Sequence, residues 1–78
     1  MMTKREFLSE LEEILEADPG ALEGDERLTD LKGWDSLAVV SLIAMVDERL
    51  DTTLSPREIA KAGSIADIVR LLGDTIVP

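Results

Sequence analysis

Between Ser36 and Leu50 the chain carries more apolar side chains than one face of a helix can hold, and this stretch restricts what the sequence can fold into. Val39, Leu42, Ile43, Val46 and Leu50 recur at helical spacing and make a complete core-facing stripe. Leu37, Val40 and Ala44 form a second stripe rotated away from the first, with Ala38 and Ser41 flanking it without charge. A chain of 78 residues makes one small domain, which on folding buries only about 60% of the surface its unfolded form exposes. Either this helix is central and surrounded, or its second stripe is a docking surface for another protein. Asp47 and Glu48 close the far end of that surface, and Arg49 complements the negative C-terminal end of the helix dipole.

The remaining segments supply partners for the central helix. Thr3 and Glu6 have capping-box spacing and predict a helix that starts there. Phe7, Leu11, Ile14 and Leu15 share one face of it, while Glu10, Glu12, Glu13 and Glu16 fall mostly on the other. Asp18-Pro19-Gly20 is expected to end this helix, because proline disfavours helical geometry in the residue before it. From Pro19 to Trp34 no period is sustained, yet Leu22, Leu28, Leu31 and Trp34 are spaced like anchors onto a core. That pattern reads as a long anchored loop, of a length that tends to be functional, or as a loop holding a short extra helix around Glu26 to Leu31.

Ser55-Pro56-Arg57-Glu58 is a second capping box with proline at the first helical position, which predicts a short helix from Pro56 to about Lys61, stopped at Gly63. Ser64 then caps a last helix in which Ile65, Ile68, Val69 and Leu72 share a face and Gly73 is the stop. Thr52 to Leu54 is the only β-like fragment and is too short to count, and Asp74 to Pro78 is expected to fray. The expected fold is all-α, an antiparallel bundle of three principal helices plus one short helix with a long first loop, in a single domain spanning residues 1–78.

The residue inventory narrows the chemistry. There is no Cys and no His, so the chain has no thiolate nucleophile, no disulfide, no imidazole base and no zinc motif. Seventeen acidic against 8 basic residues give a net charge of −9, a field that repels nucleic-acid backbones and anionic membranes and attracts basic protein surfaces. No apolar run reaches the roughly 20 residues that span a bilayer, and Met1 to Leu8 lacks the apolar centre of a signal peptide. A cytoplasmic monomer that binds no nucleic acid and does not insert into membranes is the expectation.

Gly33-Trp34-Asp35-Ser36-Leu37 joins the long loop to the apolar helix. A serine at the first turn of a helix lies among main-chain N–H groups without intrahelical partners, where an anion and above all a phosphate is favoured. The plainer reading makes Asp35 or Ser36 an N-cap. Hydrolase chemistry at Ser36 finds no support, since a neighbouring carboxylate is not a positioned base and the G-x-S-x-G elbow is absent. Asp25 to Ser36 also lacks the ligand pattern of a calcium loop.

The run Leu31-Lys32-Gly33-Trp34-Asp35-Ser36-Leu37 resembles the phosphopantetheine-attachment signature of acyl carrier proteins, centred on Asp-Ser-Leu. The likeness extends over nearly the whole chain: an acidic first helix, a long first loop, Asp-Ser-Leu opening the second helix, a short third helix and an amphipathic fourth. It implies that Ser36 carries 4′-phosphopantetheine taken from coenzyme A by a separate, magnesium-dependent phosphopantetheinyl transferase, and that the chain is a carrier and not an enzyme. Asp35, Leu37, Val40, Ala44, Asp47 and Glu48 would then form the recognition surface for that transferase and for acyl-loading, condensing or acyl-transfer enzymes. Leu42, Met45, Val46, Ala60 and Ala66 would line a space for the acyl group, or belong to ordinary core packing.

In two respects the sequence departs from carriers of housekeeping fatty-acid synthesis. Ala38 and Ser41 stand where those carriers usually bear carboxylates, and Trp34 precedes Asp35 as in discrete carriers of polyketide, peptide or modified-lipid pathways. A stand-alone specialised carrier is therefore the favoured expectation, with a housekeeping carrier as the alternative. From another class, the rival is an unmodified acidic helical adaptor that binds a basic protein surface.

Overall fold

Thr3 opens the first helix by the predicted reciprocal cap. In the computed structural model, which describes residues Met1 to Pro78, its hydroxyl accepts from the Glu6 N–H and the Glu6 carboxylate accepts from the Thr3 N–H at the start of α1 (Lys4–Leu15). The helix stops earlier than Pro19 requires: Glu16 takes the left-handed conformation (φ 57°) and its N–H folds back onto the carbonyls of Glu12 and Glu13. Phe7, Leu8, Leu11 and Leu15 are buried and Ile14 is half-buried.

Glu12 corrects the two-faced reading of α1, because it is buried among them at 3% exposure. Its Oε2 accepts from the Leu22 N–H and from the Arg5 guanidinium, both at 2.9 Å. The Leu22 N–H, with help from Arg5, holds the carboxyl below its ordinary range against the opposing effect of burial. One buried carboxylate thus fastens the first loop to α1.

The loop from Pro19 to Asp35 is anchored as its leucines suggest, with Leu22 and Leu28 buried and Leu31 and Trp34 half-buried against the core. The optional extra helix is a single 3-10 turn, Leu28–Asp30. Glu26 accepts from the N–H groups of Glu23 and Gly24, and main-chain bonds Leu28 N–H to Gly63 C=O (3.1 Å) and Ile65 N–H to Glu26 C=O (3.0 Å) stitch the loop to the segment around Ser64.

The remaining helices are α2 (Ser36–Leu50), α3 (Pro56–Lys61) and α4 (Ile65–Leu72), with the caps Asp35, Ser55 and Ser64 each accepting from the third residue of its helix. α3 ends in extended backbone at Ala62, one residue before the expected glycine. Gly63 instead donates its N–H to Asp67, which holds that carboxyl below its ordinary range. From α2 the core receives Ala38, Leu42, Val46 and Leu50, whereas Val39 and Ile43 are only half-buried. Ala38 was expected beside the exposed stripe; it is buried at 4% because its side of α2 turns toward the end of α1. Leu37 and Val40 remain exposed at 74% and 61%, so the second stripe lies outside the fold.

The chain ends overturn the expectation of fraying. After a 3-10 turn at Gly73–Thr75, β2 (Ile76–Val77) pairs in parallel with β1 (Met2–Thr3), placing Met2 opposite Ile76, both buried. The apolar Ile76 and Met2 side chains join the core, and that burial holds two strands too short to persist alone. Thr52 to Leu54 forms no strand, and Leu54 plugs the core. No helix is long and apolar enough to cross a membrane.

Candidate functional site

At the start of α2 the two readings of Asp35-Ser36 separate. Asp35 is in extended backbone and caps the helix: its Oδ1 accepts from the Ala38 N–H at 2.9 Å and its carbonyl from the Val39 N–H at 3.0 Å. Ser36 is therefore the first helical residue, exposed, with a hydroxyl that makes no hydrogen bond and performs no structural task. The N–H groups of Ser36 and Leu37 likewise have no acceptor in the protein, as expected for the first two positions of a helix. An exposed hydroxyl beside two free N–H donors at the positive end of a 15-residue helix fits a phosphate ester.

The loop residues in front of Ser36 hold it against α1. Trp34 is half-buried and its N–H bonds to the Leu31 carbonyl at 3.3 Å. Gly33 has a φ of +88°, and a Cβ there would lie 3.2 Å from the Leu15 carbonyl oxygen, so the turn and the close approach both call for glycine.

That approach leaves a cavity of about 390 Å³ between the end of α1 and the first two turns of α2. Ile14 and Leu15 line it from α1, with Gly33, Leu37, Ala38 and Ser41 facing them. Its acidic lining residues are Glu13, Glu16 and Asp35. A second hollow of about 510 Å³ adjoins it across Leu15, Glu16 and Gly33 and is lined by Asp18 and Lys32 as well.

Asp35, Leu37, Val40, Ala44, Asp47 and Glu48 are all exposed and share the outer arc of α2 from its cap to its last turn. The five residues suggested for an acyl space do not converge on a cavity. Leu42 and Val46 are fully buried, Met45 and Ala66 are half-buried, Ala60 faces solvent, and none of the 5 cavities is lined by any of them. Glu12, and Glu13, Ile14 and Glu16 along the groove, support the site, a role that the sequence pattern of two helix faces does not show. The signal for Glu12 was available, since it lies four residues after Leu8 and three before Leu15 on the buried stripe.

Residues 5–72 match the family model described as the phosphopantetheine attachment site. The chain is also 33% identical over 60 residues to an acyl carrier protein of Campylobacter curvus (strain 525.92), an alignment covering 77% of this chain and 78% of that protein. No solved structure matches it. The chain belongs to the phosphopantetheine-attachment family of acyl carrier proteins, carriers that hold a covalent 4′-phosphopantetheine group and deal with partner enzymes without being enzymes themselves.

Proposed function

We propose that Ser36 is the attachment point and that the protein carries acyl intermediates in the cytoplasm for a specialised polyketide, peptide or modified-lipid pathway. The observation that carries the assignment is the division of labour between two adjacent residues: Asp35 caps α2, and Ser36 is left exposed and unbonded at the same helix end. When bound, the group supplies a thiol on a flexible arm, a function that a chain without Cys lacks.

On transfer, Ser36 Oγ would form the new phosphodiester bond as the pyrophosphate bond of coenzyme A breaks and adenosine 3′,5′-bisphosphate leaves, and the Ser36 and Leu37 N–H groups would orient the phosphate. The hydroxyl proton leaves to a base on the transferase, because Asp35 is occupied as a cap and there is no His in the chain. Leu37, Val40 and Ala44 offer apolar contact to the transferase and to loading, condensing and acyl-transfer enzymes, while Asp35, Asp47 and Glu48 steer basic surfaces toward it.

Support for a specialised pathway comes from the middle of α2. A buried Ala38 and a half-buried Ser41 present no carboxylate there, so partners that rely on basic residues against the centre of the helix lose their counter-charges. With Leu42 and Val46 closed inside the core and Ala60 outside it, sheltering an acyl chain between α2 and α3 requires those helices to part. Intact-mass measurement after incubation with coenzyme A and a promiscuous phosphopantetheinyl transferase tests the attachment. A single phosphopantetheinyl increment that vanishes in Ser36→Ala is the expected result. An unmodified parent chain, under conditions that load a control carrier, refutes it and favours the unmodified adaptor.

A further inference from the structure

The seam between α2 and α3 is closed in the middle and at both ends, and the residues that close it decide what cargo the fold can shelter. α3 packs on α2, and Ile59 at its centre is 3% exposed. Ile59 belongs to the same apolar cluster as Leu42 and Val46 of α2 and Ile65 and Ile68 of α4, four side chains with no exposure at all. Before α3, Leu54 is sealed into the core. After it, Ser64 pairs with Arg27 in an antiparallel bridge, and the bonds Leu28 N–H to Gly63 C=O and Ile65 N–H to Glu26 C=O tie the segment that follows α3 to the first loop. The loop is braced at that point by the Glu26 carboxylate, which accepts from the Glu23 and Gly24 N–H groups at 2.8 Å.

Admitting an acyl chain here means moving α3 outward. That swing would draw Leu54 and Ile59 from the core and break both main-chain bonds of the bridge, so α3 is not a flap hinged at one end. Ile59, Ile65 and Ile68 are β-branched and have few alternative rotamers by which to make room. The hollow nearest Ser36, between the end of α1 and the start of α2, is rimmed by Glu13, Glu16 and Asp35 and gives a long hydrocarbon no dry cover. We infer that this carrier keeps its cargo outside the fold, and that the cargo is a short or polar acyl or aminoacyl group, which loses little by standing in water, and not a long saturated chain. The inference rests on Ser36 being the attachment point and concerns where the far end of the arm stays.

A promiscuous phosphopantetheinyl transferase supplied with acetyl-, butyryl- or octanoyl-coenzyme A places arm and cargo on Ser36 together. Hydroxylamine then attacks the thioester carbonyl to give a hydroxamate and a free thiol, and intact mass follows the loss. Cleavage is expected to stay within about twofold of the same thioester on free coenzyme A at every chain length, with no rise in melting temperature from acetyl to octanoyl. Slowing that grows with length and reaches about tenfold at octanoyl, or a melting temperature that climbs with length, shows the chain inside the fold and overturns the inference. Ile59→Val and Ile59→Ala remove carbon from the seam in two steps, and circular dichroism confirms which of them is folded. A folded seam variant is expected to slow cleavage of its octanoyl form by more than about twofold relative to the parent, and one that protects no better than the parent overturns the part assigned to α3. A parent that takes no arm from coenzyme A overturns the attachment reading and this inference with it, whereas a parent that is loaded and protects octanoyl overturns this inference alone.

Discussion

Glu12→Ala tests whether one buried carboxylate holds the first loop in place. The substitution leaves the buried Leu22 N–H without its 2.9 Å acceptor, which costs about 1–3 kcal/mol. Loss of the Arg5 contact adds little, since the Arg5 side chain is 53% exposed and water replaces the partner. Removal of the single Glu12 γ-methylene from a 3% exposed position adds about 1 kcal/mol. The total, about 2–4 kcal/mol, is a large share of the roughly 4–12 kcal/mol expected for a domain of this size. It should lower the melting temperature by roughly 10–25 °C.

Thermal and urea unfolding by circular dichroism at neutral pH measure the loss, and repetition at falling pH checks its cause. Because the folded Glu12 carboxyl is held below its ordinary value, its contribution is complete above the unfolded carboxyl's range and is lost as pH falls through the folded one. The gap between parent and Glu12→Ala should therefore narrow in acid. A gap under about 1 kcal/mol at neutral pH refutes the fastening role, and a gap that widens on acidification refutes the linkage.

Two other substitutions address the site and the ends of the chain. Gly33→Ala must adopt a φ of +88° and bring a Cβ to 3.2 Å from the Leu15 oxygen. It should cost about 1–2 kcal/mol and slow the loading of Ser36, and an unchanged melt with unchanged loading shows that the turn tolerates a side chain. Ile76→Ala should cost about 2 kcal/mol, at the low end for core truncations because its site borders solvent, and a loss below about 0.5 kcal/mol in urea unfolding indicates that the last residues carry no load.

What could be read without coordinates was what neighbours in sequence decide. The start of α3 followed from Ser55, Pro56 and Glu58, the exposure of Leu37 and Val40 followed from a stripe that one small core cannot absorb, and Asp35-Ser36 marked the start of α2. Between two capping candidates, the choice of Asp35 needed its backbone conformation. The features that escaped depend on partners far along the chain. Glu12 is buried because Leu22 presents an N–H to it from the loop, and Ala38 is buried because α1 ends opposite it. Ile76 is held by Met2, and hydropathy patterns within a short window contain no trace of a partner at the opposite terminus. The acidic groove exists only once Gly33 has closed against Leu15, so Glu13 and Glu16 read in sequence as an ordinary solvated face.

The parallel pairing of Met2–Thr3 with Ile76–Val77 has a kinetic consequence. Local contacts within helices form in about a microsecond or less, but this ladder closes a loop that contains almost the entire chain, and the entropy of that closure must be met before its few hydrogen bonds return anything. It can be completed only after the helices have packed around their shared core and brought the two ends side by side. The termini thus act as a latch, fastened at the end of folding and released at the start of unfolding, and amide exchange there reports on whether the carrier is fully assembled.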